Sequence, residues 1–119
     1  MRTLARFYVA LCVVGATHAV SIGRPCRFAG LHYPGSPAQH AITVGTPLSA
    51  PPFMLLALLI AARRDRPDVT RALAMMFLVG IAAEVDTWAT LRRPTSDPIS
   101  TMCVALDIAL PATMLGAAR

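Results

Sequence analysis

The chain contains no lysine and no asparagine. Without asparagine it has no N-glycosylation site. Without lysine, its formal charge of +5 rests on arginine alone. Charged residues make up only 14%, against roughly 25% in soluble domains. Cysteines number three, an odd count with no CxxC pair, which excludes a disulfide framework and a standard zinc or redox motif. Cys12 and Cys103 lie in apolar stretches and Cys26 in a loop; all three read as small buried hydrophobes. Cys26, His32 and His40 fit no metal-ligand spacing. P-loop, nucleophile-elbow, HExxH and dinucleotide signatures are absent, so no cofactor, metal or catalytic residue is expected. The missing lysine and asparagine, beside abundant alanine and arginine, point to a GC-rich, bacterial coding sequence.

What is present is hydrophobic: 55% of 119 residues are apolar. A single domain this small has too little interior to hide that much apolar surface. Lipid is the alternative solvent, and four apolar stretches of helical length are offered to it. The sequence therefore predicts an all-α, four-helix transmembrane bundle occupying residues 1–119. Its helices fall at about 4–22, 48–62, 67–92 and 98–118, and an outer loop covers 23–47.

The first stretch starts with Arg2 and Arg6 and runs through FYVALCVVGATHAVSI. A basic start, an apolar core and small residues at Ala16 and Ala19 also suit a signal peptide. The run outlasts a typical signal core, so it is read as a retained helix. In the loop, LHYPGSP is turn chemistry that breaks regular structure. Pro51 and Pro52 suit the first turn of the second helix, with Ser49 as N-cap. The helix from Ala50 to Ala62 is then only about 20 Å long, short of a hydrocarbon core of roughly 30 Å. AITVGTPL must cover the remaining depth as a kinked helix or as irregular chain, and irregular chain survives there only against protein or a cavity. Pro67 opens the third helix, with Asp68 complementing its dipole. Asp97 and Pro98 open the fourth. Pro111 lies inside it and displaces the hydrogen bond to the carbonyl of Asp107.

The arginines set the threading. With both termini in the cytoplasm, seven (Arg2, Arg6, Arg63, Arg64, Arg66, Arg71 and Arg119) lie inside and four (Arg24, Arg27, Arg92 and Arg93) outside, the bias found in plasma-membrane proteins. Arginines scattered between apolar runs do not form a nucleic-acid patch. The partners expected are the bilayer itself and a second copy or another membrane protein.

Three carboxylates interrupt the apolar stretches: Glu84, Asp86 and Asp107. A central Asp costs about 2.5–3.5 kcal/mol to insert, while each Leu, Ile, Phe or Val returns about 0.3–0.6. Such groups face the bundle interior and mark function or tight packing. On antiparallel helices Glu84 lies about 18 Å from the inner edge and Asp107 about 12 Å from the outer edge, which is the same depth. His18 comes to about 21 Å. A polar intramembrane pocket of Glu84, Asp107, His18 and Thr87 is therefore expected, with the two acids facing each other. Asp86 sits 200° round the helix from Glu84 and is assigned with Trp88 to the interface, near Arg92 or Arg93.

Three functions fit: an accessory or structural membrane protein, a small transporter-like or lipophilic-ligand-binding protein, and a membrane enzyme using carboxylate acid–base chemistry. They are ranked in that order. Close packing around Glu84 would favour the first; an apolar cavity there, the others.

Overall fold

The computed structural model describes residues 1–27 and 29–118; Arg119, counted above on the inner side, lies outside them. Six helices account for the regular structure: α1 (Arg2–Ser21), α2 (Pro37–Ile42), α3 (Pro52–Arg63), α4 (Pro67–Ala83), α5 (Val85–Arg92) and α6 (Pro98–Ala117). Among the described residues there are no strands, only one isolated bridge between Thr46 and Ser49. Helices α1, α3, α4 and α6 form a ring. Both α1 and α4 pack against α3 on one side and α6 on the other.

The core lies where the four meet: Tyr8 and Cys12 of α1, Leu58 of α3, Ala74 and Phe77 of α4, and Met114 of α6. The Tyr8 and Phe77 rings stack at a tilt, 4.8 Å between centroids. Buried alanines at 5, 61, 62 and 74 leave no bulky side chain at these helix contacts. Among the described residues two helices, α1 and α6, are long and apolar enough to cross a membrane.

Three expectations need correction. The second helix begins at Pro52, not at Ala50, and its N-cap is Pro51 rather than Ser49. The cause is the proline pair: a residue before proline is pushed out of the helical region, and Pro51 sits at ψ 139°. Ser49 instead closes a turn with Thr46 through both backbones and a 2.7 Å hydroxyl contact. The stretch ahead of the helix is thus irregular chain, not kinked helix. It is pinned to α1 at Gly15, where a Cβ would run into the Leu48 carbonyl oxygen. The second correction lies in the outer loop, where LHYPGSP does not end all regular structure. Ser36 and Gln39 form a capping box that starts α2, with Pro37 in its first turn.

The third correction concerns the helix expected over 67–92, which is broken at Glu84 (φ −76°, ψ 125°). Carbonyls freed by the break are taken up at once. Ala29 N–H donates to Ala83 O at 2.9 Å, and Trp88 Nε1–H donates to Ala82 O at 2.8 Å. The outer loop therefore substitutes for the missing turn of helix.

Candidate functional site

The break turns Glu84 out of the helical register and towards the loop. Both its carboxyl oxygens accept the Arg27 backbone N–H, at 3.1 and 3.2 Å. The Cys26 thiol donates to Oε2 at 3.8 Å. Arg27 also reaches Asp86, with Nη1 3.9 Å from Oδ1. The 200° separation of Glu84 and Asp86 holds only on an unbroken helix, so here both acids converge on one residue. Asp86 is accordingly paired with Arg27 and not with Arg92 or Arg93.

The loop that supplies Arg27 is itself held by His40. Cys26 N–H donates to His40 Nδ1 at 2.9 Å, and His40 Nε2 lies 3.1 Å from the Pro34 carbonyl. These two contacts fix the tautomer: Nδ1 accepts and Nε2 carries the proton. His40 is buried and ties Cys26 and Pro34 to α2. Among the described residues, no three His, Cys, Asp or Glu side chains group to hold a metal.

His18 does not join the acids. Its Nε2 contacts the Asp97 carboxylate at 3.0 and 3.1 Å, a link between the end of α1 and the start of α6. Asp97 also caps α6, accepting from Ser100 N–H at 3.1 Å and from the Ser100 hydroxyl at 2.6 Å. The Ser100 hydroxyl first, and His18 second, hold the Asp97 carboxyl well below the usual carboxylate range. Thr87 is buried, and its hydroxyl has no partner among the described residues. Trp88 is exposed and spends its N–H on the helix break.

Between α1, α3, α4, α6 and the irregular segment before α3 lies a cavity of about 580 Å3. Glu84 and Asp107 both line it. Its walls are otherwise mainly apolar: Tyr8 from α1, Phe53 and Met54 from α3, Met75, Met76 and Val79 from α4. Thr43, Val44 and Pro47 line one side. Asp107 is 2% exposed, and neither of its carboxyl oxygens has a partner among the described residues. Glu84 is satisfied by the loop; Asp107 is not. That asymmetry makes Asp107 the acid of the cavity wall whose buried carboxyl has no hydrogen-bond partner among the described residues.

Sequence reasoning missed Cys26, Arg27 and His40 as the supports of Glu84. It also missed the methionines at 54, 75 and 76, whose flexible thioethers suit an adaptable apolar wall. The Ser-Pro-Ala-Gln capping signature at 36–39 was a legible sign that the loop is built rather than loose. No protein-family model, no curated protein and no solved structure matches this chain.

Proposed function

We propose that this chain is a small multi-pass protein of the plasma membrane that binds a lipophilic ligand in the cavity between α1, α3, α4 and α6. The membrane placement is supported by what the bundle leaves outside. Only 28% of α1's apolar window and 33% of α6's is buried, which supports lipid over a covered core as the surroundings of these helices. Large apolar side chains on every long helix, among them Phe7, Phe53, Val79 and Met102, are exposed, which supports the same placement. Arg2 meets the carbonyl of Arg63 and the carboxylate of Asp65, which gathers the basic α3–α4 turn and the N-terminus at one end. That end faces the cytoplasm under the bias of arginines to the inside.

The cavity carries the functional reading. A volume of about 580 Å3 falls in the range of small-molecule sites, roughly 300–1,000 Å3, and apolar walls with a few polar groups are their usual lining. An accessory or structural role by itself calls for close packing around Glu84, where this fold leaves space.

The test is photolabelling in membranes with a neutral, diazirine-bearing lipophile and mapping of the label by mass spectrometry. Label is expected on the buried, cavity-lining Met54 and Phe77 as well as on exposed Phe7 and Met102. Gly80 lines the cavity, and a Cβ there would meet no atom within 4 Å. Gly80→Leu therefore fills the space without a backbone clash. It should suppress the cavity label and leave the lipid-facing label unchanged. Equal loss at both places, or none, refutes the reading.

A further inference from the structure

The cavity is unbalanced in charge. Two carboxylates line it and, among the described residues, no arginine or histidine does; the chain has no lysine at all. Glu84 is engaged by the Arg27 backbone and by Cys26. Asp107 is buried with both oxygens unpartnered. A carboxylate accepts hydrogen bonds only, and a buried one is stable when paired with a cation. The protein supplies none here, so Asp107 is neutralised by a proton in the empty cavity and is paired as a carboxylate only by a cation that a ligand brings.

The rest of the wall agrees. Tyr8, Tyr33, Phe53 and Phe77 put four aromatic rings around the space, and ring faces attract organic cations, more strongly when water is excluded. An anionic head group would meet two acids and no counter-charge. A neutral lipid would leave Asp107 as it stands.

We infer that the ligand is a lipophilic organic cation, with an ammonium-, guanidinium- or phosphonium-type charge on an apolar body, and that Asp107 is the residue that recognises the charge. This rests on the cavity being a ligand site. Glu84 contributes negative potential from the outer wall and holds the loop that closes that side.

The experiment uses the same photolabel in membranes, challenged by two ions of one shape and opposite charge. Tetraphenylphosphonium should displace the label at the buried Met54 and Phe77 and spare Phe7 and Met102. Tetraphenylborate should not discriminate between the two sets. In Asp107→Asn the cavity should still label, which reports that the fold is kept, and the phosphonium concentration needed for displacement should rise about tenfold or more. Glu84→Gln, which retains an acceptor for Arg27, should shift it less. Selective displacement by the borate, or an unchanged phosphonium midpoint in a cavity-labelling Asp107→Asn, overturns the inference and leaves the cavity reading intact. If Asp107→Asn does not label, the comparison of the two ions on the unaltered protein decides alone. Absence of cavity label in the unaltered protein ends both readings.

Discussion

Replacing Glu84 by alanine tests the idea that the outer loop is clamped by the helix break. The loop is held at the break by the Arg27 N–H and the Cys26 thiol, both on the Glu84 carboxyl, and by Ala29 N–H on Ala83 O, while Trp88 Nε1–H of α5 takes Ala82 O. Alanine is the best helix former, so the variant is tempted to fuse α4 and α5. Fusion would recover ladder bonds at Ala82 O and Ala83 O but would strip the same acceptors from Trp88 and Ala29. That exchange is near one for one. What is not replaced is the Arg27 bond, and stranding its half-buried donor costs about 1–3 kcal/mol. At tenfold per 1.4 kcal/mol, loop opening should become about 5- to 150-fold more frequent. Hydrogen–deuterium exchange on peptides covering 24–31 reads this directly in nanodiscs. Exchange should accelerate in Glu84→Ala, and by less in Glu84→Gln. Unchanged exchange in the alanine variant would mean that the loop is held by other contacts and that the break is not its anchor.

Gly15→Ala drives a methyl group into the Leu48 carbonyl and to 3.0 Å from Leu48 Cβ. Because the obstacle is backbone, a loss of about 1–3 kcal/mol is expected as a lower melting temperature in detergent. Gly116→Ala, where the added Cβ meets nothing within 4 Å, is the matched control and should hold or raise the melting temperature. A Gly15 variant as stable as the control would refute the close approach. Asp97, whose carboxyl is held below its ordinary value by Ser100 and His18, binds protons less readily folded than unfolded. Its contribution is therefore complete above the unfolded value of about 3.9 and is lost as pH falls through and below it. Melting temperature followed from pH 6 to pH 3 should drop more steeply for the unaltered protein than for Asp97→Asn; parallel curves would contradict this.

The long helices were readable because their signals are local. The basic start and apolar run of α1, Pro67 at the head of α4, and Asp97 with Pro98 at the head of α6 each specify a helix from within a few residues. Both acids that the depth argument singled out do line the cavity. The parts that escaped depend on distant partners. Nothing in AAEVDTW announces a break, since every residue there tolerates a helix. The break exists because Ala29, Arg27 and Trp88 satisfy what it exposes, and two of these lie more than fifty residues away. His18 was placed by depth along its helix, which says nothing about azimuth, and its partner Asp97 was already assigned as a cap. The start of α3 was mistaken for a simpler reason: Pro51 was judged for its missing N–H, when the decisive effect was that of Pro52 on its neighbour's backbone.

The unequal helix lengths have a mechanical consequence for the surrounding bilayer. With 20 residues each, α1 and α6 reach about 30 Å, whereas α3 with 12 and α4 with 17 reach about 18 and 25 Å. The ring order places the two long helices side by side and the two short ones side by side. In the membrane setting proposed above, the protein is thick on one flank and thin on the other. Lipids against the α3–α4 flank must compress or the whole body must tilt, at a cost of a fraction of a kcal/mol per Å. In that setting the shape would make the protein a wedge that responds to acyl-chain length. The cavity borders that flank, so bilayer thickness would tune how readily its mouth is covered by lipid.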